Sequence, residues 1–304
     1  MTKANTEHPS LAIVIPAKNE AIAINGVLKK LREYFPAAEL LVVDDGSTDK
    51  TADVASENGA TIVKHPYSLG NGAAVKAGAR ACSCDILVLM DADGQHDPDD
   101  IPRLLEKLDE GYDMVVGARG RESQASIGRA LANAFYNRFA SLITGHSIPD
   151  LTSGFRAVRT NRFRRFLYLL PNGFSYPTTI TMAFFRSGYP VGYVPIQAAR
   201  RQGRPSHLSP VKDGVRFLII LFKVATLYSP LKVFFPASAL LFLTGLFYYL
   251  YTFLTMHKFT NMSTLLFTAA VLVFLMGLIS EQITALNYRD SDDSNNRHQD
   301  NKAR

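Results

Sequence analysis

Tryptophan is absent from this chain of 304 residues, and cysteine occurs only twice. Cys82 and Cys84 stand one residue apart with no second pair elsewhere, which excludes a disulfide framework and the usual cysteine metal sites. Two reduced thiols near the end of a helix are the expected state. Glycine fingerprints are missing as well. No G-x-G-x-x-G follows the first strand-like run and no G-x-x-x-x-G-K-[ST] occurs anywhere, so the dinucleotide-dehydrogenase and P-loop readings fail. Charge is missing from residues 233–256 and again from 259–280. A soluble core helix rarely runs past about 14 residues without a charge, whereas about 20 apolar residues cross a bilayer. A disordered chain is excluded too, because 20% charged residues accompany 19 Phe and 13 Tyr.

The net charge of +6 conceals three segments. Residues 1–117 carry 11 Lys+Arg against 19 Asp+Glu, net −8; residues 118–232 carry 17 against 3, net +14; residues 233–304 carry 5 of each. The third segment reads as two transmembrane helices within 231–288, joined by a short turn at His257 and Lys258. Lys212, Arg216, Lys223 and Lys232 precede the first span and Arg289 follows the second, so the positive-inside bias puts the catalytic domain and both termini in the cytoplasm. Residues 1–10 are polar and do not read as a signal peptide. Residues 289–304 read as a disordered tail. Within 213–230, Val215, Leu218, Ile219, Phe222 and Ala225 recur at helical spacing and predict an amphipathic helix along the membrane surface, bringing a catalytic crevice to the bilayer; Phe217, Ile220 and Leu221 on its other face also suit a more deeply buried helix.

The first segment alternates strand and helix. Short apolar runs at 11–16, 40–43, 61–64, 86–90 and 114–116 predict strands. Between them, Ile24, Val27, Leu28 and Leu31 at helical spacing, the small residues 71–81, and 98–109 with Pro98 near its start predict helices. Ser47 or Thr48 suits the cap of the helix after the second strand, and Gly59 its end. This rhythm implies a parallel sheet with helices on its faces and a ligand site at the carboxyl ends of the strands.

Polar clusters follow three of those strands: Lys18, Asn19 and Glu20; then Asp44, Asp45, Gly46 and Ser47; then Asp91, Asp93, Gln95, His96 and Asp97. All three converge on one crevice. In an extended Asp91-Ala-Asp93-Gly-Gln95 segment, alternate side chains point the same way, presenting two carboxylates and an amide oxygen to one point. Hard oxygen donors of this kind suit Mg²⁺ or Mn²⁺, which leave positions open for water and phosphate. Gly70-Asn-Gly72 before a helix suits either a phosphate contact through backbone N–H groups or a tight turn.

The runs IVIPAKNE, VDDGSTDKT, GNGAAVKAG, LMDADGQHDP and DLTSGFRA, in this order, resemble glycosyltransferase family 2. More narrowly, they resemble the dolichol-phosphate mannose synthase group of polyprenyl-phosphate glycosyltransferases. The resemblance covers residues 11–212, with a nucleotide-sugar half at 11–117 and an acceptor half at 118–212. It implies an α/β GT-A fold, with a C-terminal interfacial helix and a two-helix transmembrane hairpin as a familiar appendage. It assigns the nucleotide-sugar to Pro16, Ala17, Lys18, Glu20, Asp44, Asp45, Gly72, Lys76 and Asp91, and the Mg²⁺ or Mn²⁺ to Asp91, Asp93 and Gln95. Arg119, Arg129 and Asn133 match positions that bind the acceptor phosphate, although relatives commonly carry Ser where this chain has Asn133. Arg200, Arg201 and Ser206 fall in a basic loop of irregular spacing that resembles one closing over donor and acceptor phosphates, and Arg200 and Arg201 stand equal there.

The implied reaction moves a sugar from GDP-mannose or a UDP-hexose to a dolichyl or undecaprenyl phosphate, with inversion at the sugar carbon. Asp93, Arg129 and Asp150 are the catalytic candidates, Asp150 either orienting the acceptor or structuring the TSGF turn. Relatives often place acids near the start of the helix around residues 178–185, where this chain has Phe174-Ser-Tyr-Pro-Thr-Thr. A hydroxyl acceptor needs a carboxylate base; a phosphate, with a second pKa of about 6, does not. Three alternatives are weighed. A processive polysaccharide synthase would carry Q-x-x-R-W, which a chain without Trp lacks. A transferase to a non-lipid acceptor leaves the basic segment before the spans unexplained, where anionic lipid attracts each Lys or Arg by about 1 kcal/mol. A non-catalytic membrane scaffold has no use for Asp91, Asp93 and Gln95 together. No nucleic-acid partner is expected, since these cations lack an exposed stacking or groove-docking element. A homo-oligomer would pack a lone hairpin among four or more spans.

Overall fold

The computed structural model describes residues 10–120, 127–173, 175–197 and 228–302, with the isolated positions 222 and 226; for 127–133, 287 and 289–302 it describes the backbone only. The chain divides into two units. The first comprises residues up to Ser141 and from His146 to Ser209, the second Leu142–Gly145 and Pro210 onward.

The first unit is built on a seven-stranded sheet in the order β3-β2-β1-β4-β6-β5-β7. Its strands are β1 (Leu11–Ala17), β2 (Glu39–Asp44), β3 (Thr61–Lys64), β4 (Ile86–Leu89), β5 (Met114–Arg119), β6 (Arg156–Arg159) and β7 (Val191–Ile196). The five strands expected from the apolar runs are all present. The first four are mutually parallel. The sheet as a whole is mixed, because β6 runs antiparallel between β4 and β5. β1 reads as an unbroken apolar run rather than an alternating one because Ala12–Ile15 are wholly buried and helices cover both faces.

Helices α1 (Ala21–Tyr34), α2 (Thr51–Glu57), α3 (Asn71–Ala81), α4 (Ile101–Asp109), α5 (Ile127–Thr144), α6 (Thr160–Arg164) and α7 (Tyr176–Arg186) complete this unit, the last turn of α5 falling in the second. α1 buries Ala23, Ile24, Val27, Leu28 and Leu31, the face expected from their spacing. Each fully buried Leu or Ile contributes about 2 kcal/mol of transfer free energy. α3 is rich in small residues for a steric reason. A Cβ on Gly78 would lie 2.3 Å from Val14 Cγ1, so only glycine lets this helix rest directly on the central strand.

Two local expectations change. Neither Ser47 nor Thr48 caps α2, whose side-chain support comes from Asp49 accepting the Thr51 N–H at 3.0 Å. Ser47 instead faces the first loop, where its Oγ accepts the Asn19 N–H at 3.0 Å. Gly59, at φ +74°, sits where the end of α2 was expected. The segment 98–109 is not one helix but a 3₁₀ turn at Pro98–Asp100 leading into α4.

The second unit holds α8 (Leu231–Met256) and α9 (Asn261–Lys302). Both contain 26-residue stretches long and apolar enough to cross a membrane, and only 11% and 17% of their most apolar windows are buried, unlike core helices of a soluble domain. They pack on each other through small residues: a Cβ on Gly245 would touch Leu266 Cβ at 3.0 Å, and one on Gly277 would meet Phe234 Cβ at 2.7 Å. Glu281 accepts from Leu231 N at 3.2 Å and Ser229 Oγ at 3.4 Å, fastening the two chain segments where the first apolar run begins. α9 continues through Lys302, in place of the disordered tail expected from 289; no Pro or Gly interrupts those residues. The helix expected at 213–230 lies largely outside the described residues.

Candidate active site

A cleft of about 520 Å³ opens at the carboxyl ends of the parallel strands. Pro16, Ala17, Lys18 and Glu20 enter it from β1, Asp45 from the loop after β2, and Asp91, Ala92 and Asp93 from the loop after β4. The three clusters expected to converge do so. β6 is antiparallel, so its amino end lies at this same edge, and the preceding loop adds Thr152 and Gly154. Gly173, Tyr176 and Pro177, at the start of α7, complete the far wall. The cleft therefore draws on both halves of the first unit rather than on 11–117 alone.

The loop after β4 departs from the expected extended geometry. Ala92 and Asp93 form a turn and Gly94 has φ +72°, which glycine adopts without strain. The turn is held internally, with Asp93 Oδ1 accepting the Gln95 N–H at 3.1 Å. Asp91 and Asp93 both line the cleft; Gln95 does not. His96 is buried beneath the loop, stacked on Phe155 with ring centroids 5.0 Å apart. Its Nδ1 accepts the Asp91 N–H at 3.4 Å. Burial pushes the His96 pKa down to about 4, so the ring is neutral at pH 7 and serves as this acceptor. Among the described residues no three His, Cys, Asp or Glu side chains form a group. Asp91 and Asp93, near neighbours in one loop and both open to the cleft, fit a hard divalent cation that retains water and takes phosphate oxygens for its remaining ligands.

Two of the acids expected in the site, Asp45 for the nucleotide-sugar and Asp150 as a catalytic candidate, are committed to neighbouring segments. Asp45 accepts from His65 Nδ1 at 2.8 Å, Ser68 Oγ at 2.7 Å, and the Leu69 and Gly70 N–H groups at 2.8 and 3.0 Å. Burial works to raise its pKa, but these bonds outweigh it and leave the carboxyl below the usual range. Asp150 accepts from Arg119 Nε at 2.8 Å and Nη2 at 3.1 Å, and from the Thr152 and Ser153 N–H groups at 3.0 and 3.1 Å. Burial again acts to raise its pKa and the Arg119 guanidinium overrides it, holding Asp150 ionised. Such a carboxylate is a weak base with its lone pairs occupied; of the two roles expected for Asp150, the geometry matches the structuring of the TSGF turn.

Asp44, Gly72 and Lys76 do not line the cleft. Asp44 is buried and accepts the Ser47 N–H at 2.9 Å. Lys76 donates to Leu170 O at 3.0 Å and to Asn172 Oδ1. Gly72 is required by packing, since a Cβ there would lie 2.1 Å from Pro171 O. The GNG run is thus a close-approach turn; Gly70, at φ +102°, and Asn71 face the cleft from it. Arg129 and Asn133 lie on α5, but their side chains, like Arg200, Arg201 and Ser206 entirely, lie outside the described residues. Thr152, Gly154 and Tyr176 were not singled out as site residues. The TSGF motif carried a signal nonetheless: a Cβ at Gly154 would sit 3.1 Å from Asp91 Oδ2, so this position is kept small for the carboxylate beside it.

Residues 12–167 match the family described as Glycosyl transferase family 2, and residues 229–286 match the GtrB C-terminal hairpin. A dolichyl-phosphate hexose transferase of Haloferax volcanii is 31% identical over 207 residues, covering 67% of this chain and 89% of the relative. An undecaprenyl-phosphate mannosyltransferase of Micrococcus luteus is 30% identical over 210 residues, covering 64% and 86%. Among solved structures, glucosyl-3-phosphoglycerate synthase from Mycobacterium tuberculosis with Mn²⁺, UDP-glucose and phosphoglyceric acid superposes with a TM-score of 0.59 at 22% identity, covering 72% of this chain and 80% of that one. That likeness establishes the GT-A fold.

Proposed function

This chain belongs to glycosyltransferase family 2, and from that premise we propose that it transfers a sugar from a nucleotide-sugar to the phosphate of a polyprenyl lipid. One observation carries the reading: an acid-lined cleft at the strand ends shares its chain with two long apolar helices that match a family hairpin. The relatives named for dolichyl and undecaprenyl phosphate support the acceptor class.

Asp91 and Asp93 would hold Mg²⁺ or Mn²⁺ against the donor diphosphate, with Gln95 behind them bracing the turn through its N–H. When bound, such an ion neutralises charge on the departing nucleoside diphosphate. Pro16, Ala17, Lys18 and Glu20 would border the nucleoside, with Asp45 fixing the 68–70 wall. Arg119 would meet the acceptor phosphate, its fork oriented by Asp150 and Thr152; Arg129, Asn133, Arg200, Arg201 and Ser206 are proposed for the same phosphate. A phosphate oxygen attacks the anomeric carbon as the bond from that carbon to the nucleoside diphosphate breaks, giving inversion. A phosphate monoester is largely dianionic at neutral pH, so no proton need be removed and no carboxylate base is required. This agrees with Asp150 being engaged by Arg119.

The test is transfer from GDP-mannose, UDP-glucose or UDP-N-acetylglucosamine to dolichyl or undecaprenyl phosphate by the purified chain in detergent, read by mass spectrometry of the lipid. Product is expected with Mg²⁺ or Mn²⁺ and is expected to fall by at least about 10²-fold with chelator or in Asp93→Ala. Turnover unchanged by both would remove the metal from the proposal, and transfer confined to soluble acceptors would remove the lipid.

A further inference from the structure

Among the described residues, Arg156 is the largest fully buried side chain, and it lies under the cleft floor. Its fork joins the two cleft walls. Nη2 donates to Ser153 O in the TSGF turn, and Nη1 donates to Pro177 O at 3.2 Å and Thr181 Oγ1 at 3.3 Å in α7. Its guanidinium carbon lies 6.0 Å from the Tyr176 ring centroid, and the Tyr176 hydroxyl donates to Gly154 O at 3.4 Å. A Cβ on Gly154 would be 3.1 Å from Asp91 Oδ2 and 3.3 Å from Tyr176 Oη, so the contacts run from Arg156 through Tyr176 and Gly154 to Asp91.

The energetics make this arrangement costly as a mere brace. Among the described residues no carboxylate stands within ion-pair distance of Arg156, and its Nε has no hydrogen-bond partner. Asp150, the nearest acid in the motif, is taken by Arg119. Burying an unpaired cation costs several kcal/mol, and an apolar side chain of equal size would brace the walls without that cost. The cleft supplies a reason for the charge. Its lining includes four acids, Glu20, Asp45, Asp91 and Asp93, against one lysine, Lys18, an unfavourable setting for a diphosphate. A fixed positive charge beneath the floor in a low-dielectric interior offsets it.

Resting on the transferase reading, we propose that Arg156 is a positioning residue for the transfer step that acts through its charge: held by its fork beneath the Gly154 and Tyr176–Pro177 walls, it biases the cleft toward the nucleoside diphosphate. The test compares Arg156→Met, of similar length without charge, and Arg156→Lys, which keeps charge without the fork, in the full chain in detergent. Four quantities are read: thermal midpoint, Mn²⁺ affinity without nucleotide, GDP and UDP affinity with Mn²⁺, and turnover. In Arg156→Met, Mn²⁺ alone is expected to bind severalfold more tightly, since a repelling charge is gone, while nucleoside diphosphate binds more weakly and turnover falls on the order of 10²-fold. Arg156→Lys is expected to restore Mn²⁺ affinity and most of the turnover. A fork acting only as a brace predicts the opposite: Mn²⁺ affinity unchanged or weakened in both variants, and Lys no better than Met. Either result overturns the proposal. Should Arg156→Met fail to fold, the Lys variant alone decides, because loss of turnover on retaining the charge contradicts it. Active wild type with unshifted variants defeats this inference alone; wild type that transfers no sugar at all defeats the transferase reading.

Discussion

Asp150 is a motif acid whose lone pairs are taken up by its neighbours. Its carboxylate holds Arg119 by two guanidinium bonds and closes the Thr152–Ser153 turn that forms one wall of the cleft. Asp150→Asn is expected to cost roughly 2–3 kcal/mol and lower the thermal midpoint together with turnover, because a half-buried guanidinium loses its charge partner. Unchanged stability with abolished turnover would restore a chemical role. The pH dependence has a definite sign. The Asp150 and Asp45 carboxyls titrate below the ordinary value of about 3.9, so the folded state binds fewer protons than the unfolded one. Their contribution is complete above that value and lost as pH falls through the lower folded one. Acid melting of the wild type and Asp150→Asn should therefore diverge most above about pH 4 and converge below it. Asp45 was visible in the sequence as a member of a polar cluster, and Asp150 as the acid that opens the DLTSGFRA run. That their lone pairs are spent on distant partners was not, because Leu69 and Gly70 lie 24 and 25 residues from Asp45 and Arg119 lies 31 residues from Asp150.

At the scale of elements, strands and helices follow from apolar periodicity, while the loops between them are set by contact. α3 was legible to the residue as 71–81, but its GNG start suited either a phosphate contact or a tight turn. Proximity to the 171–173 segment decides for packing: a Cβ on Gly72 would fall 2.1 Å from Pro171 O, and one on Gly70 2.5 Å from Asn172 O. Gly72→Ala is expected to force that backbone apart at about 1–3 kcal/mol, and to weaken nucleotide binding because neighbouring Gly70 and Asn71 line the cleft. Thermal melting with and without GDP or UDP checks both effects; a variant melting like wild type would show that the 171–173 segment yields freely. The mixed sheet is a similar case. β6 has four residues, and nothing in RAVR announces an antiparallel strand inserted between two parallel ones. Yet that inversion brings Thr152 and Gly154 to the cleft.

Over the whole molecule, the charge totals describe two different kinds of surface. A net −8 region contributes the acids of the cleft, and two charge-free runs form most of α8 and the first half of α9. The proposed integral membrane location, with catalytic unit and both termini cytoplasmic, predicts that the protein resists alkaline carbonate extraction. Leu272→Arg, near the middle of the second apolar stretch, is expected to weaken insertion by about 3 kcal/mol and shift protein to the soluble fraction. Protease treatment of sealed vesicles should cleave N- and C-terminal tags from the same, cytoplasmic side; cleavage from opposite sides would refute a two-span hairpin. The sequence by itself determined the strand-and-helix rhythm, the polar residues at the strand ends and the two apolar helices. Each of these depends on residues adjacent along the chain, where periodicity and charge suffice. Only the tertiary structure decided which of those polar residues face the cleft, which are used up in holding its loops, and that Arg156 lies beneath it. Those outcomes depend on which distant segments meet, and a buried charge or an orphaned lone pair has no counterpart in local spacing.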